Sequence, residues 1–210
     1  MNKAILAAGI AAVALMAAGS SSAAVVFSFE PGAATPDTGY TVINTFDDAT
    51  GITGVNFQIK VPPSDGNGAT PANSVPAGTP YLSVLGGGIA NISLGGLFTG
   101  LQFDWGSIDS YNTLTIHSTG GDLIVVPGSN FPNQANGDQF APGTNGRFTI
   151  AGNAGERFTG ITLASGQNSF EVDNLAVGGV PEPASWAMMI IGFGAAGSVI
   201  RRRRTAAAVA

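Results

Sequence analysis

Val55-Asn56-Phe57-Gln58-Ile59-Lys60-Val61, closed by Pro62-Pro63, alternates apolar and polar side chains one by one. A period of two marks a strand with one face toward a core, and prolines end it because they bring no N–H to a ladder. The same alternation returns in Leu101-Gln102-Phe103-Asp104-Trp105 and in Thr113-Leu114-Thr115-Ile116-His117. Further strands are predicted over 25–30, 41–46, 81–85, 89–94, 123–126, 147–150, 158–163 and 169–177. Clusters of Gly, Pro, Asn and Asp separate them, and the longest, 64–80 and 127–145, read as loops. No long amphipathic helix or strand–helix alternation intervenes. The pattern predicts an all-β ectodomain over residues 25–179, a β-sandwich of the jelly-roll kind.

The last strand breaks its own alternation. Phe170 and Val172 share one side with Glu171 and Asp173 opposite, yet Leu175 and Val177 then continue on odd numbers. A one-residue slip of this kind predicts a β-bulge at Asp173-Asn174. If the first and last strands pair, as in many jelly rolls, Glu30 approaches Glu171 and Asp173. Those three carboxylates would supply the hard oxygen ligands that calcium takes, in a structural site. Solvated acids on an edge strand are the plainer alternative.

Composition narrows the partners. The 210 residues carry 8 Lys and Arg against 13 Asp and Glu. Lys60, Arg147 and Arg157 are the only basic residues between 25 and 180, where the net charge is −9. A body so acidic lacks the basic footprint of a nucleic-acid or anionic-lipid binder and suits divalent cations or neutral sugars. Cysteine is absent, so disulfides, thiolate metal sites and cysteine nucleophiles are excluded.

The two ends carry the strongest signals. Lys3, the apolar run 4–18 and the small residues 19–24 have the layout of a cleaved secretory signal peptide over 1–24. At the other end, residues 184–200 hold no charge and make a helix of ~25 Å, short for a bilayer span. Trp186 suits the outer interface, and Arg201, Arg202, Arg203 and Arg204 mark the cytoplasmic side. Gly192, Gly194 and Gly197 each weaken that helix by ~1 kcal/mol, which fits a temporary anchor. Two prolines keep the preceding Pro181-Glu182-Pro183-Ala184 extended and accessible.

The stretch from Val180 through Pro181-Glu182-Pro183-Ala184, Trp186-Ala187-Met188-Met189 and the four arginines closely resembles the PEP-CTERM sorting signal. The resemblance covers 180–204, leaving 205–210 as a short tail. It implies recognition of Pro181, Glu182, Pro183 and Ala184 by an exosortase, an integral-membrane transpeptidase-like enzyme. It also implies a Gram-negative bacterium that makes exopolysaccharide. Export by the Sec machinery, removal of the leader by signal peptidase and a pause in the inner membrane would precede the cell surface or matrix. Residues 103–114 and 170–175 also resemble the ectodomain of a poorly characterised family of exosortase-dependent surface proteins.

No catalytic constellation is recognisable. His117 is the only histidine, on the polar side of its strand, with no nucleophile-elbow pattern to serve. Trp105 alternates with Leu101 and Phe103 toward the core, although with Tyr111 it would also suit a ligand rim. Asp109 and Asn112 read as the hydrogen-bonding residues of a turn. The expected function is a non-enzymatic surface or matrix component associated with exopolysaccharide. The alternative is a secreted hydrolase of envelope polysaccharide, which needs two placed carboxylates.

Overall fold

A computed structural model describes residues 25–32, 35–72, 78–121, 123–131, 133–152 and 156–179. Ten strands carry them: β1 Val26–Pro31, β2 Tyr40–Asn44, β3 Ile52–Lys60, β4 Tyr81–Phe98, β5 Gly100–Gly106, β6 Asn112–Ser118, β7 Leu123–Pro127, β8 Gly146–Ala151, β9 Phe158–Ser165 and β10 Phe170–Gly178. Helical structure among them is limited to two 3-10 turns, Gly128–Asn130 and Pro142–Thr144. The fold is all-β. Among the described residues no helix is long and apolar enough to cross a membrane, and the expected span at 184–200 lies outside them.

Where two separate sheets were expected, all ten strands join one sheet that curls into a half-barrel. The order is β1-β8-β5-β10-β4-β9-β6-β7, with β2 added to β10 and β3 to β4. The join is β4. Alternation predicts two strands there, 81–85 and 89–94, with Gly86-Gly87-Gly88 as the break. The chain instead runs 18 residues without leaving the ladder. Its first part pairs with β10, Leu82 facing Val172, and its second with β9, Ile92 facing Ile161. The glycines make the corner. Gly87 has φ +72°, and a Cβ on Gly88 would lie 2.3 Å from the Asn56 carbonyl oxygen. Only glycine fits that approach.

Both halves of the curl turn their apolar rows onto one core. In the half built from β4, β9, β6 and β7, Ile92, Ile161, Ile116 and Ile124 align across four strands. Ala90, Leu163, Leu114 and Val126 form the next row. In the other half Trp105 stacks on Phe170 at 4.6 Å, and Phe103 packs on Phe148 at 5.1 Å. Phe131, from the long loop after β7, meets Trp105 edge-on. All five aromatic rings belong to the single core cluster, so Trp105 is core. Burial of each is worth roughly 1.5–3 kcal/mol.

Two bulges set which side chains face that core. In β10 the register shifts between Asp173 and Ala176, and Asn174 has φ +48°. Phe170 and Val172 before the bulge and Leu175 and Val177 after it are all core residues, as the broken alternation requires. The second bulge, in β3, was not anticipated. Asn56 has φ +55° and the register slips between Val55 and Phe57. Ile52 and Phe57 therefore face inward, while Val55, expected beside Phe57, is 63 % exposed.

Candidate functional site

Behind the aromatic core, the outer faces of β5, β8 and β10 hold a buried polar layer. Glu171 lies there beneath the 65–72 segment and is almost wholly buried. Its Oε1 accepts the Ala69 N–H at 3.2 Å and the Ser169 hydroxyl, and its Oε2 accepts the Ser107 hydroxyl at 2.7 Å. Burial pushes the carboxyl pKa up, and the Ser169, Ser107 and Ala69 donors pull it partly back. These bonds tie the strand to two loops distant in sequence. Their geometry is that of a structural cross-tie.

Asp173 stands in a row that the register defines. Glu30 faces Arg147, Arg147 faces Asp104, and Asp104 faces Asp173. The Arg147 Nε lies 3.2 Å from Asp104 Oδ1, both side chains being buried. An Arg147 terminal N–H donates to the Asn174 carbonyl at 3.0 Å. The Asn174 amide in turn donates to Asp104 Oδ2 at 2.9 Å. The bulge thus aims Asn174 into the ion pair. Burial lowers the Arg147 pKa, against the attraction of Asp104, Asp37 and Asp173.

This arrangement does not assemble the expected calcium ligands. β1 pairs with β8, not β10, so two strands separate Glu30 from Asp173. At about 4.8 Å per strand the two backbones stand roughly 14 Å apart. Glu30 is exposed at the sheet edge. The cation between the acids is the Arg147 guanidinium. Among the described residues no group of three His, Cys, Asp or Glu side chains is placed to hold a metal.

Near the corner, the 107–112 turn is built as its polar residues suggest. The Asn112 side chain accepts the Asp109 N–H at 2.9 Å, and the Asn112 N–H donates to the Asp109 carbonyl at 3.1 Å. The Tyr111 hydroxyl contacts Asp109 Oδ2 and lies 3.0 Å from the Asn168 carbonyl. A phenol has one proton for these two acceptors, so it donates to one of them at a time. Burial raises the Asp109 pKa, and the Tyr111 bond opposes that rise.

The outer face of β4, β9 and β6 is built differently. Ile89, Ala164 and Thr113 form one row, and Thr53, Asn91, Thr162 and Thr115 the next. Ser93, Gly160 and His117 form a third. Thr162 Oγ1 donates to Asn91 Oδ1 at 2.7 Å and lies 2.8 Å from His117 Nε2. Since that hydroxyl has one proton, His117 Nε2 is the donor. A one-way chain therefore runs from β6 through β9 to β4. The polar placement of His117 follows its alternation. The Asn91–Thr162 link was missed, because register joins residues 71 apart.

The class defined so far is an all-β domain held by a buried polar layer. Residues 179–204 match the PEP-CTERM protein-sorting motif, so the chain carries that motif and is in this sense a PEP-CTERM protein. The motif marks an exosortase-dependent protein exported to the cell envelope or surface. Pro181, Glu182, Pro183, Ala184, Trp186, Arg201, Arg202, Arg203 and Arg204 lie outside the described residues, as do residues 1–24, where a leader is expected. No curated protein is significantly similar to the chain.

Proposed function

We propose that the exported domain is a non-enzymatic surface or matrix component that associates with extracellular polysaccharide. The observation that carries this reading is the use made of the interior carboxylates. Glu171 and Asp104 are buried and engaged in cross-ties between strands and loops, not turned toward an open cleft. The resemblance of 103–114 and 170–175 to surface-protein ectodomains points the same way. The jelly-roll reading belongs with it. It is supported by the pairing orders β4-β10-β5-β8 and β4-β9-β6-β7, in which β4 serves as one strand of each half.

A hydrolase reading has one specific observation in its favour. Asp109 is a partly buried carboxyl with a raised pKa beside Tyr111, the environment of a general acid. The separating experiment incubates protein from its native envelope with exopolysaccharide from the same culture. Retention of the protein without release of reducing ends is the expected outcome. Sugar release that is lost in Asp109→Asn would overturn it.

A further inference from the structure

We infer that the outer face of β4, β9 and β6 is the seat of a neutral polysaccharide chain lying along β9. This rests on the glycan-associated reading and adds a place and a chemistry to it. The chain's own segments cover the outer face of the opposite half: Asp37 bonds Gln102, and Ala69 bonds Glu171. No described segment covers the β4–β9–β6 face in this way. Asn91, Ser93 and Ile89 on it are exposed, and Thr162, Ala164 and His117 are half-buried.

The shape suits an extended chain. Along β9 the outward residues are Gly160, Thr162 and Ala164, with Gly166 just beyond the strand, and Gly160 and Ala164 are smaller than the residues paired with them on β4 and β6. From 160 to 166 the trough runs roughly 20 Å at strand spacing. A depression of about 420 Å³ lies at one end, lined by Ser93, His117 and Gly160. Another of about 380 Å³ lies toward the other end, lined by Ile89, Tyr111 and Gly166.

The chemistry selects the occupant. No Asp, Glu, Lys or Arg stands in the three rows, while the body between residues 25 and 180 carries −9. An anionic chain would be repelled, and a neutral one has nothing charged to desolvate. The His117–Thr162–Asn91 chain presents aligned donors and acceptors, and a sugar hydroxyl, being both, extends such a chain. The apolar row through Ile89, 40 % exposed, offers a surface for the C–H faces of sugar rings.

The test uses mature protein from its own envelope and the neutral fraction of exopolysaccharide from the same culture, read by affinity electrophoresis. Wild type should be retarded. The double variant Asn91→Ala/His117→Ala should bind about tenfold or more weakly, having lost two hydrogen-bonding groups. Ala164→Trp, which fills the trough from outside the core, should lose retardation. All variants should keep the wild-type circular dichroism and melting temperature. Retarded wild type with equally retarded, folded variants would overturn this site and leave glycan association standing. No retardation of wild type would count against glycan association itself. A wild-type dimer that Ala164→Trp converts to monomer, with retardation unchanged, would make the face a self-interface and overturn the proposal.

Discussion

Arg147 sits in a row of strand acids, facing Glu30 on one side and Asp104 on the other, and its guanidinium pairs with Asp104. Its guanidinium is planar, always charged and weakly hydrated, so it tolerates burial beside Asp104 better than an ammonium would. The clue lay in scarcity, since only three basic residues stand in the acidic body. Its partner was hidden because the pairing of β8 with β5 is a long-range fact. Glu171 gives a sharper prediction. Its pKa in the fold is raised above the ordinary 4.5, so the fold prefers the protonated form. That contribution is full below the ordinary value and is lost as pH rises through the raised one. Glu171→Gln removes this loss and keeps an acceptor for Ala69 and Ser169. It should stay within about 1 kcal/mol of wild type at pH 7, with stability that varies less between pH 4 and 7. Glu171→Ala strands three donors and should cost at least about 2 kcal/mol. Denaturant unfolding across that pH range checks both, and a steeper pH dependence in the Gln variant would contradict the assignment.

Strands were the most legible elements, because a half-buried strand writes its face into every second residue. The β10 bulge was legible too, since Leu175 and Val177 continue the apolar series on the wrong parity. The β3 bulge was not. Gly54 interrupts the series before it, so Val55 looked continuous with Phe57 although Asn56 turns it outward. The β4 corner was misread for a related reason: three glycines look like a turn, and only the close approach of β3 shows why they are needed. Gly88→Ala should therefore cost about 1–3 kcal/mol, because the added methyl meets backbone rather than a movable side chain. Gly87→Asn should cost less, since open space surrounds that position and asparagine tolerates positive φ. Equal melting temperatures for Gly88→Ala and wild type would show that the corner relaxes freely.

At the scale of the whole chain, two kinds of information have different legibility. The address is written locally, in a contiguous motif, so residues 179–204 declare it from sequence alone. The buried layer and the outer hydroxyl face are written across strands, and no single stretch contains either. The half-barrel is cargo in this account, and the charged tail is a device for placing it. Intact-mass spectrometry of the mature protein from its native envelope tests that division most directly. The mature polypeptide should begin near residue 25 and lack Arg201, Arg202, Arg203 and Arg204. A mature mass that still contains those four arginines would contradict it.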